Sequence, residues 1–513
     1  MAAGGIDRRT LIGSAIGLAA APAAARRKPA STPPSPAFTH GVASGEPGPD
    51  RMLFWTRHQP ESGRPAPLRV EIAADPAMTH AKVAAKTAAD PERDWTARAV
   101  VEGLSPGRTY YYRFRAEDGS VSDIGRTRTL PDSAAAGWRL GAFACGPFSS
   151  GWFNAAAAAV AADDCDLLVD LGSDLHAPRP GVRGSSGFPA TREGHWAKWR
   201  EARADPDLRA LHQRWPMVAL WDWHRAGLDG WAGAPAAGPA DRDVARLAFA
   251  DWMPVSDQPF ARYDIGRLAT LYRLDTAGRD PALAPAAGAD LARLRDEQWV
   301  AGRRQMLGEA QEAWLFSELS AAVRRGTRWQ ILAGAPRMAD IVVPPEPALP
   351  DAALSPALLA DVRARRARQA AGLPADLEGW SGYPAARARL LAMAQAAAAD
   401  LVLLTGATHQ AFAAELAASG RPAAVELGCP SLTAPGLEAA AAAPDTVAAA
   451  LMAASPGLRW LDSGRRGWLH LDLTPGDIAA EWRLTGPAGS RSAALVASVR
   501  AHVSALQHRL VMG

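Results

Sequence analysis

Several side chains able to hold a metal ion or move a proton stand just beyond apolar, strand-like runs. Cys145 follows Leu140-Gly141-Ala142-Phe143, and Asp174 follows Leu167-Leu168-Val169-Asp170-Leu171. His224 follows Met217-Val218-Ala219-Leu220-Trp221, and His409 follows Leu401-Val402-Leu403-Leu404. Where strands alternate with helices, chemistry gathers on loops at the carboxyl ends of the strands. Each residue also has a plainer reading. Cys145 would serve equally as a small buried hydrophobe, and His224 as a core histidine.

The elements needed to position these groups can be read from the same chain. Alanine-rich or amphipathic stretches separate the strand-like runs and predict helices over Ala155–Ala162, Glu309–Ala322 and Ala386–Ala399. This alternation predicts an α/β layered domain over residues 138–490. Ahead of it, residues 38–131 carry short β-type runs such as Met52–Thr56, Leu68–Ile72 and Tyr110–Phe114, punctuated by Gly, Pro and Asp. Those runs predict a small all-β domain of the immunoglobulin or fibronectin type. Trp231–Asp241, Pro281–Gly288 and Pro344–Pro356 read as surface loops, Leu437–Pro456 as a helix, and residues 491–513 as a tail or helix.

Length and composition agree. A chain of 513 residues exceeds one ordinary domain, and 48% hydrophobic with 21% charged residues suits a globular protein. The net charge is only +3, and no basic cluster of the kind that grips nucleic acid is visible. Arg8-Arg9 precedes an apolar run from Leu11 to Ala25 that ends in Ala23-Ala24-Ala25. Paired arginines before a short apolar stretch resemble a twin-arginine export signal over residues 1–25, followed by a linker over 26–37. That reading places the mature chain in the periplasm or outside the cell, with no integral membrane segment. Three cysteines, Cys145, Cys165 and Cys429, leave at least one unpaired, and sequence alone does not choose a pair.

An ordered set of landmarks goes further. Phe38-Thr39-His40-Gly41-Val42-Ala43-Ser44-Gly45-Glu46-Pro47 with Leu53-Phe54-Trp55-Thr56-Arg57 opens the set. Ala144-Cys145, Leu171-Gly172, Trp221-Asp222-Trp223-His224, Leu274-Asp275-Thr276 and Met306-Leu307-Gly308 with Gln311 and Trp314 follow. Gly382-Tyr383-Pro384 with Arg387, Leu404-Thr405-Gly406 with His409, and Glu481-Trp482 complete it. From Phe38 to Trp482 the chain closely resembles the PhoD-type alkaline phosphatases. The resemblance implies a metallophosphoesterase-like α/β sandwich and hydrolysis of phosphate mono- and diesters at an iron- and calcium-containing centre. Two such cations about 3.5–4 Å apart would activate an oxygen nucleophile and neutralise phosphoryl charge.

Residue by residue, the match is incomplete. The family's Ser-Cys is Ala144-Cys145, so the implied thiolate ligand survives. Its Gly-Asp-Tyr, source of a bridging carboxylate, is Gly172-Ser173-Asp174. Asp174 stands one residue late, where a strand exit reverses side-chain direction, and would serve only if the loop bends. Its Trp-Asp-Asp-His-Glu is Trp221-Asp222-Trp223-His224-Arg225, and its Gly-Asp-Val-His-Ser is Gly406-Ala407-Thr408-His409-Gln410. The histidines persist, His224 in the place that meets phosphate or leaving group and His409 as an implied ligand, while two carboxylates do not. The Leu-Asp-Thr-Arg motif ends in Ala277, and Trp-Asp-Gly-Tyr is Trp380-Ser381-Gly382-Tyr383. The expected metal-facing set is therefore Cys145, His409 and Asp174, with His224 catalytic. Three readings stay open. One is a family member with lost or strongly reduced phosphatase activity, whose ligand is a phosphate ester or other anionic small molecule. The others are an active enzyme with a reduced or single-metal site, and an envelope binding or structural protein using the old cleft.

Overall fold

The structure is a computed structural model of the chain. It describes residues 34–133, 135–172, 189, 191–222, 239–276, 279–280, 282–283, 285, 288–300 and 303–513. Asp174 and His224, with Ser173, Trp223 and Arg225, lie outside the described residues, as does the expected export segment.

The N-terminal region supplies β1 (Val42–Gly45), β2 (Arg51–Arg57), β3 (Ala66–Ala73), β4 (Lys82–Ala89), β5 (Thr96–Glu102), β6 (Thr109–Ala116) and β7 (Gly125–Arg128). Then come β8 (Trp138–Phe143), β9 (Leu167–Asp170) and β10 (Pro216–Ala219). The sequence continues with β11 (Ala261–Ile265), β12 (Ala269–Arg273), β13 (Trp329–Gly334) and β14 (Asp400–Thr405). The strands β15 (Ala411–Ala418), β16 (Arg421–Gly428) and β17 (Leu458–Asp462) follow, then β18 (Arg466–Leu473), β19 (Asp477–Thr485), β20 (Leu495–Ser504) and β21 (Leu510–Met512). Helices α1 (Asn154–Ala162), α2 (Arg192–Arg203), α3 (Pro206–Arg214) and α4 (Pro239–Trp252) precede α5 (Leu291–Leu294) and α6 (Glu309–Arg324). The last three are α7 (Pro356–Ala370), α8 (Pro384–Ala396) and α9 (Pro444–Ala454).

The strands form three sheets. One runs β21-β20-β19-β18-β8-β9-β10-β1-β2-β5, the second β11-β12-β13-β14-β16-β15-β17, and the third β4-β3-β6-β7. The period of two explains how they stack. In β14, Val402 and Leu404 face a core shared with Leu140 and Val169 of the first sheet, whereas Leu401 and Leu403 face a core built with Leu319, Leu390 and Leu391 of α6 and α8. A strand buried on both faces has to be a continuous apolar run, which is how Leu401–Leu404 reads. A third core packs the first sheet's other face through Trp199, Leu208 and Trp252 of α2, α3 and α4. The order is helices, sheet, sheet, helices, as the α/β-sandwich reading expected.

The N-terminal region is all-β, as expected, but its sandwich is not self-contained. Met52 and Phe54 of β2 face Leu68, Tyr112 and Phe114 of the third sheet, while Trp55, the next residue, faces the helix-covered core. The sheet carrying β1, β2 and β5 is the end of the ten-stranded sheet, joined by parallel pairing of Ser44 with Pro216 and Gly45 with Met217.

One expectation is corrected. Residues 491–513 are neither a tail nor a helix. β20 pairs along β19 from Asp477↔Ser504 to Thr485↔Leu495, and β21 pairs on β20. The physical reason is alternation: Ala501 and Val503 face the inter-sheet core while His502 between them is exposed. Pro344–Pro356 is mostly exposed, as a surface loop should be, and is anchored at a few points. Leu349 and Leu354 are buried. Arg366 of α7 donates to the carbonyls of Pro344 at 2.8 Å and Leu349 at 2.7 Å.

Candidate active site

Strand ends converge where the resemblance placed the chemistry. Beyond β8 the chain turns sharply, with Cys145 at φ +52°. The Cys145 N–H donates to the Gly172 carbonyl at 2.9 Å, and its thiol donates to the Gly406 carbonyl at 3.1 Å. One cysteine thus fastens the loops after β8, β9 and β14 together. The side chain is fully buried.

Two glycines permit this closeness. Gly172 sits at φ +84°, and a Cβ there would lie 2.8 Å from the Asp222 Cβ and 3.0 Å from the Leu220 carbonyl oxygen. Its N–H donates to the Asp170 carboxylate at 2.9 Å. A Cβ on Gly406 would meet the Cβ atoms of Ala144 and Leu171 at 2.7 and 2.8 Å. Asp222, beyond β10, therefore stands directly against the Gly172 turn.

His409 occupies the turn between β14 and β15 at φ +58° and is buried. Its Nδ1 lies 3.0 Å from the Pro435 carbonyl oxygen, which fixes Nδ1 as the protonated nitrogen when the ring is neutral. The Pro435 segment is itself tied to the first loop, since the N–H of Ala434 donates to the Cys145 carbonyl at 3.2 Å. The structure thus gathers Cys145, Asp222 and the His409 turn at neighbouring strand ends. Asp174 and His224 lie outside the described residues.

Iron and calcium require anionic oxygen donors around the thiolate. Among the described residues, the one group of three or more His, Cys, Asp or Glu side chains at metal-ligand spacing is elsewhere, at Asp164, Cys165 and His470. Among the described residues neither Cys145 nor His409 belongs to such a group, and Ala407 offers no donor. The described donors do not fit a two-cation centre.

Beside the end of β10 a cleft of about 390 Å³ opens, walled by Trp221, Arg246, Ser256, Gln258, Arg273 and Asp275 among others. The Arg246 guanidinium lies over the Trp221 ring at 5.9 Å. Other landmarks are braces. Gln311 accepts from the Asp275 N–H at 2.8 Å and donates to its carbonyl at 2.7 Å, holding the turn after β12. Tyr383 donates to the Asp280 carbonyl at 2.5 Å, and Trp482 Nε1 donates to the Gly428 carbonyl at 2.8 Å.

Sequence reasoning missed Glu426. This fully buried carboxylate on β16 accepts from the N–H groups of Met338 and Ala339 at 2.8 and 2.5 Å and from the Thr405 hydroxyl at 2.9 Å. It ties the loop after β13 to the end of β14, one residue before Gly406. Burial pushes its pKa above the usual carboxylate value despite those donors. The available signal was a lone acid inside the apolar run Ala423–Leu427.

Comparison with known proteins agrees with this architecture. Residues 140–482 match the family model described as PhoD-like phosphatase, and residues 21–131 match its N-terminal domain. Alkaline phosphatase D of Bacillus subtilis (strain 168) is 26% identical over 414 residues, covering 74% of this chain and 65% of the relative. The chain thus spans just under two thirds of that relative's length. A solved structure of PhoD superposes with a TM-score of 0.76 at 22% identity, covering 94% of this chain and 93% of the other. A purple acid phosphatase from yellow lupin (Lupinus luteus) seeds gives 0.54 at 13% identity, covering 89% and 73%. Both likenesses concern the fold.

Proposed function

The chain belongs to the PhoD-like phosphatase family, and from that premise we propose that its metal-dependent hydrolysis of phosphate mono- and diesters is lost or strongly reduced. The old cleft is retained to bind a phosphate ester or related anionic small molecule. The observation that carries this reading is the joint presence of Ser173, Trp223 and Ala407 where the family pattern has aspartates. Each replacement removes one negative charge from a site meant to hold several positive ones, and cations without anionic partners are poorly held. Arg225, in place of the family's glutamate, adds a charge of the wrong sign.

A specific observation favours one competing reading, a single-metal site of Cys145, His409 and Asp174. The Cys145 turn is bonded to both flanking loops, so its sulfur is already held in place. Metal content separates the two. Protein recovered after export is expected to carry far less than about one equivalent of iron. Iron at about one equivalent, lost on Cys145→Ala, would install the single-metal enzyme instead. An envelope binding or structural role without a phosphate ligand would show no phosphate-ester binding by calorimetry.

The proposal includes export by the twin-arginine route to the periplasm or beyond. It is supported by Arg8-Arg9 and the apolar run after them. Among the described residues no helix is long and apolar enough to cross a membrane. Changing both arginines to lysine is expected to leave the precursor inside the cell. Unimpaired export of that variant would refute the route.

A further inference from the structure

A second donor cluster lies away from the cleft. Asp164 and Cys165 form the turn between α1 and β9, and His470 sits on β18 opposite Gly141 of β8. Cys165 belongs to the helix-covered core of the ten-stranded sheet, at the amino end of β9. Cys145 belongs to the core between the sheets, beyond the carboxyl end of β8. The two thiols thus serve opposite faces and opposite strand ends.

One donor atom from each of Asp164, Cys165 and His470 lies within 4.8 Å of the other two. Asp164 Oδ1 is 4.0 Å from Cys165 Sγ, and Asp164 Oδ2 is 3.6 Å from His470 Nε2. Tetrahedral zinc, with bonds of about 2.0–2.3 Å, puts its donors roughly 3.3–3.8 Å apart. Small side-chain rotations close the difference. The sheet is notched for the sulfur, since a Cβ on Gly141 would lie 2.9 Å from Cys165 Sγ. Cys165 and His470 are buried, with 4% and 6% exposure, and His470 Nε2 faces the Asp164 carbonyl oxygen at 3.3 Å, a contact that a bound metal would replace.

From this geometry we infer that Asp164, Cys165 and His470 form a binding site for a borderline-soft dication such as zinc, separate from the cleft. Thiolate and imidazole select zinc over calcium or magnesium. Arg483 is the obvious objection, because its guanidinium stands 2.7 Å from Asp164 Oδ2. Two features answer it. Glu481 holds the same guanidinium at 2.7 Å from the other side and offsets its charge. The carboxylate oxygens also divide their work, Oδ1 toward Cys165 and Oδ2 toward both Arg483 and His470, so the arginine stays as an outer partner when Oδ1 takes the metal. Without a cation, burial and then the Asp164 charge push the Cys165 thiol up to about 12, leaving it protonated and inert. Metal binding forms the sulfur–metal bond and releases the thiol proton to solvent. The bound ion would pin β18 to the α1–β9 turn.

Cobalt titration of the chelator-stripped full chain tests the site. A thiolate-to-cobalt charge-transfer band is expected in the native protein and in the Cys145→Ala/Cys429→Ala variant, whose remaining thiol is Cys165. The band should vanish with Cys165→Ser or His470→Ala, and zinc should raise the thermal midpoint of the native chain but not of those variants. No band in the Cys145→Ala/Cys429→Ala variant, or a band surviving Cys165→Ser, overturns the inference. The Cys145→Ala/Cys429→Ala variant decides the matter even if Cys165→Ser does not fold.

Discussion

Supplied with iron and calcium at alkaline pH, the purified protein is expected to hydrolyse a generic aryl phosphate at least about a thousandfold more slowly than a relative with the full carboxylate set. A thousandfold corresponds to about 4 kcal/mol of transition-state stabilisation. That is a modest demand on a site in which Ser173, Trp223 and Ala407 replace three aspartates. The cations neutralise the charge that develops on the phosphoryl oxygens, and that term fails if they are not held. Single restorations of aspartate are expected to recover little, because ligands of one centre act as a unit. Ser173→Asp, Trp223→Asp and Ala407→Asp together should recover metal binding, with Arg225 still opposing it. The outcome that sinks the reading is robust turnover by the unmodified protein that disappears with Cys145→Ala or His409→Ala. The cleft would then work with a smaller donor set than the family pattern.

The parts of this site legible in the sequence are those that depend on strand ends. An apolar run such as Leu401–Leu404 announces a strand covered on both faces, and whatever follows it must emerge at the sheet's carboxyl edge. Cys145 and His409 could be placed on that logic, and the turns they occupy do lie together. Glu426 could not, because its value is set by three donors from segments distant in sequence. A lone buried acid has no periodic signature. The C-terminal strand β20 is a different case. Ala497, Val499, Ala501 and Val503 alternate with Ser498, Arg500, His502 and Ser504, a period of two that identifies a half-buried strand. The signal was present but carried by small residues, and alanine belongs to helices more often than to strands. The joining of the N-terminal sandwich to the large sheet has no periodic signature in the sequence. It rests on backbone pairing of Ser44 with Pro216 and Gly45 with Met217, and the backbones come so close there that a Cβ on Gly45 would lie 2.2 Å from the Pro254 carbonyl oxygen.

That junction carries the other large expected effect. Arg273, at the end of β12, is 3% exposed and forms an ion pair with Glu46 in the turn between β1 and β2. It also donates to the Gln258 carbonyl at 2.6 Å. Glu46 in turn accepts from the Tyr263 hydroxyl at 2.9 Å and the Ser256 hydroxyl at 3.0 Å. Burial, then the Glu46 charge, pushes the Tyr263 phenol well up, so it remains a donor across the working pH range. Glu46 was visible in the opening landmark of the sequence, but its partner 227 positions away was not. Arg273→Met is expected to destabilise the chain by about 3–5 kcal/mol in denaturant unfolding, because it strands a buried carboxylate. Glu46→Gln added to that variant should return roughly half of the loss, since the amide keeps an acceptor for Tyr263 without a charge to desolvate. The comparison isolates charge from packing, because both variants share the same methionine. A cost below about 1 kcal/mol for Arg273→Met would mean that water reaches Glu46 and that the pair does not brace the junction. The expected cost, reversed by the second change, would make the N-terminal strands part of the same folding unit as the strand ends that carry the cleft.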